Sequence, residues 1–239
     1  MRLLVLVALA MARGSASLAA RPMVSRSRRQ APRGRAAAGS SATERLTQLT
    51  CVAALAQVAF PRLTLLGAKQ TSAVVAGEWW RLVTPVLLHS SVPHLLTNLY
   101  SLRNIGPQLE AAYGPKRLAV VYVAAGVAGN LLSCVMNPTG YSVGASGAIA
   151  GLVGALAVHL LRHQALLGDR ATNGLQSIGR VIALNALIGV GSGTNIDNAG
   201  HLGGLLGGAA TAYLVGARWQ KVNTYGGPRI VDMPLIRLD

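Results

Sequence analysis

From Leu46 onward the chain is built from apolar runs with polar residues gathered at their ends. Six runs approach the roughly 20 mostly apolar residues that a helix needs to cross a bilayer. They lie at about Leu46–Leu66, Pro93–Leu109, Leu118–Met136, Ser146–Leu161, Leu175–Val190 and Asn198–Ala217. The first is the weakest, because Pro61 and Arg62 stand near its far end. The alternation that a membrane barrel strand requires is missing. Open backbone cannot face lipid, so a helical bundle is the expected solution. The predicted fold class is an all-α membrane protein with six transmembrane helices.

Composition agrees with this pattern. Charged residues make up 12% of the 239 residues and hydrophobic residues 51%, against about 25% charged in soluble domains. The formal net charge of +15 is unevenly placed: nine of the 22 basic residues precede Leu46, and the first acid is Glu44. No zinc-finger, helix-turn-helix or aromatic-rich RNA-binding pattern accompanies the charge, so nucleic acid is not an expected partner. Cys51 and Cys134 lie in different apolar runs and read as small buried hydrophobes, not as a disulfide framework.

The N-terminal charge has another reading. Residues 1–20 begin with "MRLLVLVALAMA", an apolar core too short to span, followed by small residues, as in a signal peptide. Residues 21–45 are rich in Arg, Ser and Ala and nearly free of acids, as in an organelle transit peptide. The two in series resemble the bipartite presequence of algae with secondary plastids; a simple mitochondrial or chloroplast presequence is the other reading. The expected organisation is a signal-like segment (1–20), a transit-like segment (21–45), a six-helix domain (46–217) and a C-terminal tail (218–239) without a legible motif. The expected location is a plastid membrane, with the mitochondrial inner membrane or a secretory-pathway membrane as alternatives.

Loop charge sets orientation. With the start of the first run inside, the inner ends collect Arg45, Lys116, Arg117, Arg162, Arg170, Arg180, Arg218 and Lys221, and the outer ends only Arg62, Lys69 and Arg81. Both termini then face the cytosol-like side. The second, fourth and sixth runs enter from the outer face, and their first turns carry His94 and Asn98, Ser146, and His201. Polar groups inside a membrane are costly and mark function by default. A serine hydroxyl is a weak nucleophile until a base stands within hydrogen-bond reach, and His201 is the obvious base. Gly147, Gly151, Gly203, Gly204, Gly207 and Gly208 recur at small-xxx-small spacing, which lets helix backbones approach closely. His94 and Asn98, four residues apart, share a helix face and can both donate to a developing oxyanion. The N-terminus of the fourth run adds free backbone N–H groups.

The segments "GEWWRLVTPVLLHSSVPHLLTNLYSLRNIGPQLEAAYG", "YVAAGVAGNLLS", "GASGAIAGLVGA" and "IDNAGHLGGLLGGA" occur in this order between Gly77 and Ala217. Together they resemble the rhomboid intramembrane serine proteases. The resemblance implies a six-helix core, a Ser–His dyad without an acidic third member, and cleavage of transmembrane helices of membrane proteins without metal or cofactor. It makes Ser146 the nucleophile, His201 the base, and His94 and Asn98 the H-x-x-x-N pair of the oxyanion hole. Trp80 and Arg81 match the family's Trp-Arg pair in the first outer loop. One position departs: Ala150 stands where many members carry an aromatic that stacks on the histidine.

Alternatives remain for single residues. His89 and His94 could in principle bind metal, but no carboxylate or cysteine stands at ligand spacing, so no metal is expected. His89 reads as interfacial, with packing or gating as its only role. His159 and His163 read as interfacial near the inner end of the fourth run. Asn130 reads as helix-packing glue, and Glu110 and Gly114 as shapers of the turn after the second run. Asp197 reads as favouring the helix dipole rather than completing a triad. The competing functions are a non-catalytic rhomboid-like protein that binds transmembrane clients, and a small channel or transporter. The channel would require intramembrane charge, which is nearly absent; Arg103, the main exception, can snorkel from the inner end of the second run. The expected partners are transmembrane substrates and membrane lipid.

Overall fold

The computed structural model describes residues 41–191, 197–225 and 227–238. The expected signal-like segment and residues 21–40 of the transit-like segment lie outside the described residues.

Helix α1 spans Ala42–Ala59 and starts four residues before the expected Leu46. Two devices begin it there. Ser41 and Glu44 form a reciprocal capping box. The Glu110 carboxylate, far along the chain, accepts the Ala42 and Thr43 N–H groups at 2.7 and 3.0 Å and the Thr43 hydroxyl at 2.6 Å. Glu110 is therefore a cap for a neighbouring helix rather than a turn-shaper. Pro61 ends α1, since it has no N–H to continue the ladder and disfavours helix before it. A short α2, Arg62–Gly67, follows.

The next 24 residues form an irregular but well-anchored loop. It contains β1 (Lys69–Gln70), α3 (Thr71–Val75) and two 3₁₀ turns at Trp79–Leu82 and Thr84–Leu87. Arg81, expected at the outer surface, is buried at the loop's centre. Its guanidinium donates to Glu78 at 2.6 Å and to the Leu65 and Ala68 carbonyls at 2.8 Å each. Trp80 remains exposed and donates its indole N–H to the Leu66 carbonyl at 3.2 Å.

Helix α4, Val92–Tyr113, is capped by Ser91 and carries a proline in its first turn, a position where a missing N–H costs nothing. Gly114, at φ +81°, makes the sharp joint to α5, Pro115–Met136. Then come β2 (Tyr141–Ser142), α6 (Ser146–Arg162), the short α7 (Gln164–Leu167), α8 (Asp169–Gly191) and α9 (Asn198–Val215). Helices overlap the expected segments, but the first expected run, Leu46–Leu66, is broken at Pro61 into α1 and the short α2. Among the described residues one helix, α5, is both long and apolar enough to cross a membrane by itself; α6 is apolar but has 17 residues.

Helix α9 packs most extensively against α6 and α5, and glycine makes this possible. A Cβ on Gly204 would strike the Gly147 carbonyl, and one on Gly208 the Gly151 backbone. On the α5 side, a Cβ on Gly129 would stand 2.5 Å from the Gly200 carbonyl. The larger side chains, among them Leu102, Leu109, Leu118, Tyr122, Ile149, Leu152 and Leu160, fill the interior between α4, α5 and α6. Leu49, Val52, Leu55 and Val58 on α1, Val120, Val123 and Val135 on α5, and Leu202 and Leu206 on α9 face outward. In water so much exposed apolar surface would be a liability; it suits contact with lipid.

The tail is structured. Strands β3 (Trp219–Thr224) and β4 (Gly227–Asp232) pair antiparallel in a hairpin. Arg117 of α5 bonds Asp232 at 2.5 Å, and His163 accepts the Trp219 N–H at 2.8 Å. His159 and His163, expected at the interface, are buried beneath this hairpin, both in ring contact with Trp219.

Candidate active site

Ser146 is the first residue of α6 and His201 lies in the first turn of α9. His201 Nε2 stands 2.7 Å from Ser146 Oγ. The two helices are held at this range by backbone contact: a Cβ on Gly147, next to the serine, would lie 3.2 Å from the carbonyl of Gly200, next to the histidine. One turn further along α9, a Cβ on Gly204 would strike the Gly147 carbonyl, so a side chain there would push the two helices, and with them the hydroxyl and the imidazole, apart.

The loop before Ser146 is fixed from several sides. Lys69 pairs with Ser142 and Gln70 with Tyr141 through the β1–β2 bridge. The Gly144 N–H donates to the Pro85 carbonyl at 2.9 Å, and the Thr71 hydroxyl to the Asn137 carbonyl at 2.9 Å. Gly144 itself has φ +132°, a backbone conformation that L side chains rarely adopt. The outer loop therefore serves as a clamp on the loop that carries the serine.

A cavity of about 30 Å³, enough for a water molecule, is lined by residues that include Ser146, His201, Gly144, Asn130 and Asp197. At its edge the first intrahelical bond of α6 runs from the Ile149 N–H to the Ala145 carbonyl. The N–H groups of Ser146, Gly147 and Ala148 precede that bond and are the orphan donors of a helix start.

His94 comes to the same place. A Cβ on Gly144 would meet its ring, 2.6 Å from Cε1 and 2.8 Å from Nε2. Its Nδ1 lies 3.1 Å from the Ser90 hydroxyl. With that hydroxyl donating, Nε2 carries the proton and faces the serine loop. Asn98 sits one turn further into the bundle, buried, with its amide N–H donated to the His94 carbonyl at 3.0 Å. Its Oδ1 is buried without a hydrogen-bond partner. So Ser146, His201 and His94 converge, while Asn98 is engaged with its own helix.

Other residues take roles the sequence did not disclose. Asn130 donates to the Leu82 carbonyl at 2.8 Å, tying α5 to the outer loop beside the cavity. His89 is buried beside His94, with ring centroids 5.1 Å apart. Burial lowers His89 to about 4, with His94 adding to the effect, so it is neutral at ordinary pH. Its backbone is held by Gln57 of α1, which accepts from the His89 N–H at 3.0 Å and donates to its carbonyl at 3.1 Å. Among the described residues no third histidine, cysteine or carboxylate joins His89 and His94 in a metal-binding group.

A family model described as the Rhomboid domain matches residues 76–218, more than half of the chain, a range that includes Ser146, His201, His94 and Asn98. The chain belongs to the rhomboid family. This rhomboid is 41% identical over 179 residues to the rhomboid protease GluP of Bacillus subtilis (strain 168), covering 74% of this chain and 33% of that protein. It is 39% identical over 150 residues to RHOMBOID-like protein 5 of Arabidopsis thaliana, covering 62% of this chain and 48% of that protein. It is 34% identical over 170 residues to Rhomboid-like protease 3 of Toxoplasma gondii, covering 69% of this chain and 64% of that protein. The chain thus spans from a third to just under two thirds of these relatives' length. As a rhomboid it is a membrane protein, which accounts for the outward-facing apolar side chains.

Proposed function

We propose that this chain is an intramembrane serine endopeptidase that cleaves transmembrane helices of other membrane proteins through Ser146 and His201. The observation that carries the reading is the 2.7 Å contact between Ser146 Oγ and His201 Nε2 at a helix N-terminus. His201 takes the hydroxyl proton as Oγ attacks the scissile carbonyl carbon. The negative charge that develops on the carbonyl oxygen is met by the free N–H groups at the start of α6 and by His94 Nε2. Asn98 supports His94 from the turn beyond and has a second amide hydrogen to offer. His201 then passes its proton to the leaving amine, the acyl-serine forms, and water activated by the same imidazole releases the acid product. No metal or cofactor takes part in these steps.

In this reading the six long helices cross the bilayer and the outer loop lies in its interface. The domain occupies residues 46–217, extended at its start to the cap at Ser41. The Arg-rich N-terminal composition supports import into an organelle, a plastid first and a mitochondrion second. The partner is the transmembrane helix of a substrate, which must enter from the lipid and unwind locally to expose a carbonyl.

Two observations favour a second reading. Ala150 leaves His201 without the stacking partner many rhomboids place there, and Asn98 is bonded within its own helix. A client-binding protein that keeps the fold without turnover would tolerate both. Purified chain in detergent separates the two. The protease reading requires cleavage of a transmembrane reporter and fluorophosphonate labelling, both lost in Ser146→Ala and His201→Ala. Folded wild-type chain that does neither is the client-binding outcome.

A further inference from the structure

Asp197 is the acidic group nearest in sequence to His201, yet it is not arranged as the third member of a triad. It is the N-cap of α9: its carboxylate accepts the Gly200 N–H at 2.8 Å. The Ser133 hydroxyl of α5 donates to its other oxygen at 2.5 Å. The Asn137 amide, just past the end of α5, approaches at 3.5 Å. The Asp197 backbone carbonyl accepts the His201 N–H at 3.0 Å. Both carboxylate oxygens are thus committed to backbone and hydroxyl donors, one helical turn from the imidazole, and the residue lines the same cavity as Ser146 and His201.

Three consequences follow. Capping fixes the first turn of α9, and so the direction from which His201 reaches Ser146. The Ser133 bond ties that turn to α5, so two helices share one anchor. The carboxylate also places negative charge close to the imidazolium that forms when His201 takes the serine proton. The other titratable group facing His201 among the described residues is His94 from α4, which supplies no negative charge. In a site of low dielectric even an unbonded anion one turn away matters.

We infer that Asp197 is a positioning residue for His201, anchoring the first turn of α9 to α5 and stabilising the imidazolium without bonding to the ring. The inference rests on the protease reading above. It makes the dyad an electrostatically assisted one.

The test uses Asp197→Asn and Asp197→Ala in the full chain. Asn caps helices as well as Asp, and its Oδ1 can accept from Gly200 while its amide donates to a reoriented Ser133 hydroxyl. The cap and anchor survive and the charge is lost. Asp197→Asn should melt near the wild-type temperature, keep KM, and lose kcat by about tenfold, the effect of about one pKa unit of lost charge stabilisation. Asp197→Ala should lose kcat further and melt lower. Wild-type kcat in Asp197→Asn would overturn the inference, as would a change confined to melting temperature or KM. Should Asp197→Ala not fold, the Asn variant still decides. Failure of wild-type chain to cleave any reporter is a separate outcome: it removes the protease reading itself, and with it the reaction that Asp197 would assist.

Discussion

At the scale of single residues, the site depends on what is missing as much as on what is present. Gly144 is the clearest case. Its φ of +132° suits glycine alone, and the space a Cβ would fill is occupied by the His94 ring. Gly144→Ala must displace either His94 or the loop that carries Ser146. A displacement near 1 Å can cost about 10²-fold in rate, so turnover of a reporter by Gly144→Ala should fall by about that factor while the folded chain persists. Turnover within twofold of wild type, a bound set well inside the roughly 10²-fold loss, would show that the His94–Gly144 contact does not shape the site. Ser146, His201 and His94 were legible in the sequence because polar residues stand out in apolar runs. Asp197 was legible as a charge at a helix start but not as an anchor, since its partner Ser133 is 64 residues away and an ordinary small residue in an apolar helix.

At the scale of elements, the sequence reveals helices far better than their connections. Apolar runs announce α5, α6 and α9 to within three residues, and α4 and α8 to within four and six. The start of α1 was marked by Ser41-x-x-Glu44, a capping-box spacing concealed in what reads as transit-peptide composition. Glu110 as a cap could not be read, because it acts across 68 residues. The hairpin was not read, because residues 218–239 are short and mixed, and its strands are held by pairing with each other and by contacts to α5 and the end of α6. Its docking carries a pH dependence. His163 Nδ1 bonds the His159 carbonyl at 2.8 Å, so its Nε2 must be unprotonated to accept the Trp219 N–H. Burial holds His163 below the ordinary imidazole value, with the His159 carbonyl opposing it, Arg162 adding to the lowering and Asp232 opposing it. A lowered value in the docked state means that docking is complete above the ordinary value and is lost as pH falls through the lowered one. Amide hydrogen exchange across residues 219–232 should therefore quicken, beyond its intrinsic trend, as pH falls below the ordinary imidazole value of about 6.5. His163→Asn, which can accept the same N–H without titrating, should abolish that change. Equal pH response in both proteins would contradict the account.

At the scale of the whole molecule, stability and chemistry share one interface. The α9–α6–α5 contact is close enough that backbone meets backbone at Gly204 and Gly208, and the same approach sets the distance from His201 to Ser146. Gly208→Val overpacks this seam and should cost about 3 kcal/mol or more, visible as a large fall in melting temperature. Gly179 on α8 offers the internal comparison: a Cβ there meets nothing within 4 Å. Gly179→Ala should leave stability unchanged or raise it by about 0.5–1 kcal/mol. Similar effects of both substitutions would mean that the seam is not the tight element of the bundle. The spacing of the glycines was visible in the sequence; which backbone each one faces was not, because that depends on three helices assembled together.

In the proposed reaction Ser146 is a nucleophile activated by His201. The most direct measurement of this is the site and rate of fluorophosphonate attachment to the folded chain in detergent, mapped by mass spectrometry. The account predicts one adduct, on Ser146, formed at a rate that falls about 10²-fold or more in His201→Ala. Absence of an adduct at Ser146, or the same rate with and without His201, would contradict it.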